Sequence, residues 1–284
     1  MSNIKQIRAF AKEVVKEARK ADREARRRYV AEIRAFAKTV VKEAKEADKA
    51  AKLVANNIAE EKRLEELLKS FKNIEGKKLL ELFSGTHSVK KVAEKYGFQV
   101  LSLDLKGADI NKSIMDWDYK QLPSGTFDVI WGSPPCHTFS ALRRCWVGRK
   151  LKQFGDQIVT MDMLEEDMFQ NGLPLLRRTE EIIDYFKPKF WFIENPKTGR
   201  MKDFVSRPYM DVSYCQYGYE YQKHTRLWTN VSKKQYCGRV CCCKKKHGIN
   251  LGHPAGTKGT TLKQRYSIPP MLLKELFDVV TPNL

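Results

Sequence analysis

The chain has 284 residues, 42% of them hydrophobic, and its 53 Lys and Arg residues against 34 Asp and Glu residues give a net charge of +19. An odd number of cysteines and the absence of an apolar run long enough for a signal peptide or a bilayer span predict an intracellular protein with reduced thiols. The basic excess favours nucleic acid as a partner, although a basic surface kept for solubility fits it equally well.

An internal repeat occupies the start of the chain. IRAFAKEVVKEARKAD at residues 7–22 returns as IRAFAKTVVKEAKEAD at residues 33–48, and each copy has the apolar spacing of an amphipathic helix. Neither Pro nor Gly occurs before Gly76, so helix could run through most of this segment. Its alanine-rich stripe is too narrow for a core, so it should pack on its own repeat, another subunit or the following domain.

We therefore expect a helical hairpin or a coiled-coil tether at residues 1–74, with self-association as one possible partnership. A dedicated nucleic-acid arm that uses Arg26, Arg27 and Arg28 is the alternative.

From residue 77 the pattern alternates short apolar runs with helical stretches. KKLLELFSG, FQVLSLDL, TFDVIWGSPP and KFWFIENP each predict a strand, and SVKKVAEKYG and LLRRTEEIIDYF predict helices. Such alternation predicts an α/β fold with a mostly parallel sheet, whose ligands lie beyond the carboxyl ends of the strands. Residues 75–284 should form this domain.

The turns after the first two strands have residues suited to a cofactor. Gly85 in ELFSG lets backbone amides approach a ligand, and Asp104 ends the next strand, where a carboxylate can accept from ribose hydroxyls. Asp116 in IMDWDY could accept from an adenine amino group, although an exposed loop carboxylate explains it equally well.

The segment SPPCHTFS presents Cys136 rigidly after two prolines at a strand end. A thiol there is either a small buried apolar group or a nucleophile, and a nucleophile needs surroundings that favour the thiolate. His137, Arg143 and Arg144 are close enough in sequence to help. Glu194 in FIENP ends another strand and is a candidate acid.

The ordered segments ELFSG, SPPCHTFS, FIENP, YQKHTRLWTN and RYSIPP resemble the DNA cytosine C5 methyltransferases, from about residue 77 to the last residue. The resemblance implies a class I S-adenosylmethionine-dependent methyltransferase with a Rossmann-like, mostly parallel sheet, preceded here by an N-terminal α-helical segment. It implies S-adenosylmethionine as cofactor, DNA as partner, and transfer of a methyl group to cytosine C5. The cofactor residues would be Phe83, Gly85, Asp104, Asp116 and Pro134. Cys136 would add to cytosine C6, Glu194 would contact N3, and Arg226 would contact the carbonyl oxygen.

Several positions depart from the family pattern. Glu81 replaces the usual Asp, and His87 and Ser88 stand where further glycines are usual. Gln222 and Arg226 match the family, but His224 replaces an Arg between them. Cofactor approach and one contact to the nucleic acid should therefore differ locally. Ser267 and its neighbours in RYSIPP are further candidates for cofactor contact.

The region between the last two motifs, residues 231–264, is short for target recognition, which predicts a short or relaxed target sequence. Its cysteines and histidines, with Cys237, Cys241, Cys243 and His247 as the main candidates, could hold a structural zinc ion, or could be reduced cysteines beside a basic patch. His253 is a further possible ligand. Lys244, Lys245 and Lys246 suggest phosphate contact.

Three other functions compete with methylation of DNA. Amino methyltransferases also place a Pro-Pro turn at this strand end, but an aromatic residue usually follows where Cys136 stands. One branch resembling the family methylates RNA, and residues alone leave that substrate open. The third is a nucleic-acid-binding protein that keeps the fold without catalysis; the presence of both Cys136 and Glu194 favours an enzyme.

Overall fold

The computed structural model describes residues 2–242 and 261–284. The chain divides into two compact units, Met1–Leu67 and Leu68–Leu284. Within the described ranges, no helix combines the length and the apolar character needed to cross a membrane.

A single helix, α1 (Ser2–Asn73), contains both copies of the repeat. The segment between the copies has neither Pro nor Gly, so nothing in its sequence interrupts helical hydrogen bonding. The expectation of a helical hairpin is therefore wrong, because a continuous helix cannot fold one copy back on the other. Large apolar side chains of α1 stay exposed, including Phe10 at 73% and Phe36 at 71%.

The second unit is built on a seven-stranded sheet. Its strands are β1 (Lys78–Leu82), β2 (Gln99–Asp104), β3 (Ile110–Asn111), β4 (Val129–Gly132), β5 (Phe190–Pro196), β6 (Tyr209–Ser213) and β7 (His224–Thr229). They are ordered β3-β2-β1-β4-β5-β7-β6, and β7 runs opposite to the other six strands. The expected α/β fold with a mostly parallel sheet of the class I methyltransferase type is confirmed.

Short helices flank this sheet. They are α2 (Ser88–Ala93), α3 (Met161–Asp167), α4 (Leu173–Phe186), α5 (Leu262–Tyr266) and α6 (Pro270–Val280). One π-helical turn, Met168–Gly172, joins α3 to α4. Apolar residues of α2 and α6 share one buried cluster with β1, β4 and β5, and burial of this apolar surface is the main term that stabilises the unit.

The register of the sheet brings four strand ends to one edge. Leu82 pairs with Leu103 of β2 and with Gly132 of β4, and Gly132 pairs in turn with Ile193 of β5. The residues that follow these pairs are therefore neighbours in space, because parallel strands end at the same edge.

Candidate active site

A cavity of about 390 Å³ opens at this edge of the sheet. Among the residues singled out from the sequence, those that line it are Glu81, Phe83, Gly85, Ser88, Asp104, Pro134, Cys136, His137 and Glu194. Binding sites for small molecules commonly have volumes of roughly 300–1,000 Å³. One cavity therefore contains both the candidate cofactor residues and the candidate catalytic residues.

The turn after β1 is held to the end of β2. The Gly85 N–H donates to Asp104 Oδ2 at 2.8 Å, and the Leu105 N–H donates to Asp104 Oδ1 at 2.6 Å. Phe83, Gly85 and His87 all have positive φ, near 58°, 46° and 55°. Two of these are not glycine, so the turn is strained and the sheet must hold it in place.

Glu81 and His87, which depart from the family pattern, both support this turn. The buried Glu81 carboxyl accepts from the amides of Val89 and Lys90, each at 3.2 Å, and burial raises its pKa to about 8. The His87 Nε2 lies 2.7 Å from the carbonyl oxygen of Gly107. The replacement residues therefore fix the loop to its neighbours.

Cys136 lies in a turn fixed by β5. Asn195 Nδ2 donates to the carbonyl oxygen of Pro134 at 2.9 Å, and the Phe139 N–H donates to the carbonyl oxygen of Cys136 at 3.2 Å. Burial raises the pKa of the Cys136 thiol, the positive charge of Lys223 lowers it, and the negative charge of Glu194 raises it.

Of the three basic residues near Cys136 that the sequence singled out, only His137 lines the cavity. The buried Arg143 is paired with Asp167 and donates to the carbonyl oxygen of Thr138 at 3.2 Å, and Arg144 is exposed. After Ser140 the chain continues into a short helical segment that contains Arg143 and Arg144. Closeness to Cys136 in sequence therefore does not identify the charges that lie near its thiol.

The Glu194 carboxylate is held by two residues that the sequence analysis did not single out. Its Oε1 accepts from the Tyr214 hydroxyl at 3.0 Å and lies 3.4 Å from Lys223 Nζ. The same ammonium group lies 4.7 Å from the centre of the Tyr214 ring. Lys223 was detectable only as the neighbour of Gln222 in YQKHTRLWTN, and no pattern pointed to Tyr214.

Arg226 and Asp116 are not among the residues that line the cavity, and their predicted roles stay predictions. Arg226 lies opposite Asp211 in the β6–β7 pair, and its guanidinium contacts that carboxylate at 2.8 and 3.2 Å. Side chains alternate along a strand, and at Arg226 this alternation directs the guanidinium to Asp211. Asp116 is exposed in the loop after β3. Lys223 lines the cavity from the YQKHTRLWTN segment.

Other predicted positions lie around the cavity. Ser213 Oγ is 2.8 Å from His224 Nδ1, so the His that replaces an Arg contacts the neighbouring strand. Ser267 donates to the carbonyl oxygen of Lys263, while its neighbours Tyr266 and Ile268 line the cavity.

The zinc prediction finds no support among the described residues, which contain no group of three or more side chains placed to hold a metal. Cys237 is exposed, whereas Cys241 is buried with its N–H donating to Ser213 Oγ at 2.9 Å. Cys243, His247, His253 and Lys244 to Lys246 lie outside the described residues.

No family model matches the chain. The chain is 40% identical over 219 residues to the probable DNA (cytosine-5)-methyltransferase of Frog virus 3 (isolate Goorha), covering 71% of this chain and 99% of that relative.

Two solved structures are also similar. A DNMT2 mutant of Spodoptera frugiperda matches with a TM-score of 0.37 and 14% identity. The match covers 61% of this chain and 57% of that protein. The Entamoeba histolytica methyltransferase EhMeth matches with a TM-score of 0.38 and 11% identity, over 74% of this chain and 99% of that one. On the identity and coverage of its viral relative, the chain belongs to the DNA (cytosine-5) methyltransferase family.

Proposed function

We propose that this enzyme transfers a methyl group from S-adenosylmethionine to C5 of cytosine in DNA, through a covalent bond between Cys136 and C6. The observation that carries this proposal is one cavity lined by Gly85 and Asp104 as well as by Cys136 and Glu194. A cofactor and a base that react with each other must meet in one site.

The residues after β1 and β2 fit the cofactor. The Asp104 carboxylate lies at the end of β2, where it can accept from ribose hydroxyls while its contact with Gly85 holds the turn. A side chain at Gly85 would be strained by the positive φ. S-adenosylmethionine would supply an electrophilic methyl group on a sulfonium centre.

Cys136 and Glu194 act at opposite positions of the cytosine ring, C6 and N3. The thiol gives its proton to solvent, and Sγ forms a bond to C6 while the C5–C6 π electrons move toward C5. N3 takes up a proton from solvent, and Glu194 hydrogen-bonds the protonated N3, which stabilises the adduct. C5 would then take the methyl group as the methyl–sulfonium bond breaks and the sulfur leaves as a thioether. Loss of the C5 proton to solvent, cleavage of the Sγ–C6 bond and return of the N3 proton to solvent restore the ring.

Glu194 has an oxygen available for this contact. Tyr214 and Lys223 both contact Oε1, and none of the described residues donates a hydrogen bond to Oε2. The Tyr214 hydroxyl and the Lys223 ammonium therefore orient the carboxyl group without occupying the atom that would face N3.

The target cytosine must leave the base stack, because its C5 and C6 atoms are inaccessible to a nucleophile inside a closed duplex. The name of the viral relative supports DNA as the substrate. Residues 231–264 would form the small target-recognition region, and its first part docks on β6, where the Ser213 N–H donates to the carbonyl oxygen of Arg239 at 2.9 Å.

The experiment compares one cytosine-containing sequence prepared as a DNA duplex and as an RNA stem, each incubated with the chain and labelled S-adenosylmethionine. Mass spectrometry of the digested nucleosides should find 5-methyl-2′-deoxycytidine, and Cys136→Ser should give none. Product from RNA alone would contradict the choice of DNA. Methylation at the cytosine amino group would contradict the reaction itself.

A further inference from the structure

Small and apolar residues of α1 are spaced as in a coiled-coil seam. Steps of three and four residues alternate through two series, and every residue of both series is exposed in the first unit. The first series is Ala11, Val14, Ala18, Ala21 and Ala25, and the second is Ile33, Ala37, Val40, Ala44, Ala47, Ala51, Val54 and Ile58. Two such helices can interlock along a seam of this kind.

This seam requires a partner. Val14 and Val40 are 48% and 45% exposed, and most of the stability of a helix in a protein comes from packing of its apolar face. Alanine at many seam positions lets two backbones approach closely. A second helix of the same narrow kind fits such a seam.

We propose that α1 pairs with α1 of a second copy of this chain, running antiparallel, with the two Tyr29 residues opposite each other. The alternation of steps is interrupted between Ala21 and Ala37, where every step is four residues, and Tyr29 is the centre of that interruption. In this register the four-residue steps of the two helices lie opposite each other. The alternating steps of one helix therefore also face those of the other on either side of Tyr29.

Each repeat then packs on the other repeat of the second copy. The layers pair Ala11 with Ala47, Val14 with Ala44, Ala18 with Val40, Ala21 with Ala37 and Ala25 with Ile33 of the second copy. Of these five layers, three pair a larger side chain with an alanine and two pair alanine with alanine, so two large side chains meet in none of them, and the central Tyr29 pair is wider. The arrangement has two-fold symmetry and closes as a dimer.

The charges beside the seam favour the antiparallel direction. Asp22 lies opposite Arg34 of the second copy, and symmetry repeats this attraction. Glu17 lies opposite Glu43 of the second copy, which is the one like-charge contact.

In a parallel pair in register, the charged residues beside the seam would meet only residues of the same charge. It would bring Glu17 beside Asp22 of the second copy and Glu43 beside its Asp48. Charge complementarity therefore selects the antiparallel dimer.

The first experiment measures the mass of the full-length chain by light scattering after gel filtration. We expect twice the 33.0 kDa of one chain. Val40→Asp puts a charge into the seam and should raise the dissociation constant of the dimer at least about a hundredfold, since removing a charge from water costs several kcal/mol. The matched control is Thr39→Asp, on the outer face of the same turn, which should leave the dimer intact.

The second experiment tests the direction of pairing. Asp22→Arg and Arg34→Asp each replace an attraction with a repulsion at two symmetric places, and each should weaken the dimer by about tenfold. The double variant restores opposite charges across the antiparallel interface and should recover the original dissociation constant. Circular dichroism of each variant checks that the helix remains formed.

Three results would overturn the proposal. A monomer at every accessible concentration, or a dimer that Val40→Asp leaves intact, would show that α1 does not pair through this seam. A dimer that the double charge reversal fails to restore would show that the helices pair in another register. None of these results bears on methyl transfer, because the seam residues belong to the first unit and the cavity residues to the second.

Discussion

At the scale of single residues, Lys223 links the two side chains to which we assign the chemistry. Its ammonium lies 3.4 Å from Glu194 Oε1, and only 17% of its side chain is exposed, so solvent screens its charge incompletely. The same charge opposes the effect of burial on the pKa of Cys136. Lys223 is therefore suited to position Glu194 and to favour the thiolate at once.

Lys223→Met should move the pH at which Cys136 is half-alkylated by iodoacetamide upward by roughly one unit, because an opposite charge nearby lowers a pKa by about that much or more. Lys223→Arg keeps the charge and should retain most of the wild-type profile. Peptide mass spectrometry follows Cys136 specifically, with the exposed Cys145 as an internal standard. Identical profiles for wild type and Lys223→Met would show that the ammonium does not act on the thiol.

The sequence pointed to Cys136 and Glu194 but not to Lys223, for a physical reason. A nucleophile after Pro-Pro and a carboxyl at a strand end are signalled locally by residue type and position. Which residue of YQKHTRLWTN faces the cavity depends instead on where β7 begins and how it pairs with β6, and those long-range contacts leave no local pattern.

At the scale of elements, the turn that carries Cys136 depends on close packing between β4 and α4. A Cβ at Gly132, the last residue of β4, would lie 2.7 Å from Cγ2 of Thr179 on α4. The next nearest atoms are about 4 Å away, so Thr179 is the residue with which an added Cβ would clash. Gly132 therefore lets the helix approach the strand just before the turn that carries Cys136.

Gly132→Ala should lower the free energy of unfolding by about 1–3 kcal/mol through overpacking. Thr179→Ser removes the methyl group that the new Cβ would meet, while it keeps the hydroxyl that donates to the carbonyl oxygen of Leu175 at 2.8 Å. In urea unfolding, the double variant should be more stable than Gly132→Ala alone. A purely additive double-mutant cycle would show that the strain lies elsewhere.

Elements with strong local patterns were predictable, and the others were not. Four strands are apolar runs buried on both faces, namely β1, β2, β4 and β5. Two helices that follow β1 and β4 in the chain, α2 and α4, have apolar residues at helical spacing. β3 has two residues, too few for a periodic signal. β6 and β7 mix polar and apolar residues because they form the antiparallel end of the sheet.

At the scale of the whole molecule, the sequence predicted a helical segment and a catalytic domain but could not say what covers the helical seam. A helix that packs on its own repeat and one that packs on a second copy have the same apolar period. The continuous helix α1 removes the first of these arrangements. The basic charge of +19 is consistent with a polyanionic substrate, whereas the identity of that substrate depends on the cavity and the family.

The covalent bond between Cys136 and cytosine C6 is the central claim, and trapping it is the most direct test. The intact chain is incubated with S-adenosylmethionine and a DNA duplex in which 5-fluorocytosine replaces cytosine. After methyl transfer, C5 has no proton to lose, so the Sγ–C6 bond cannot be broken by elimination. Peptide mass spectrometry should find the methylated nucleotide on Cys136. Failure to trap any adduct with a chain that methylates ordinary DNA, or an adduct on another cysteine, would contradict the account.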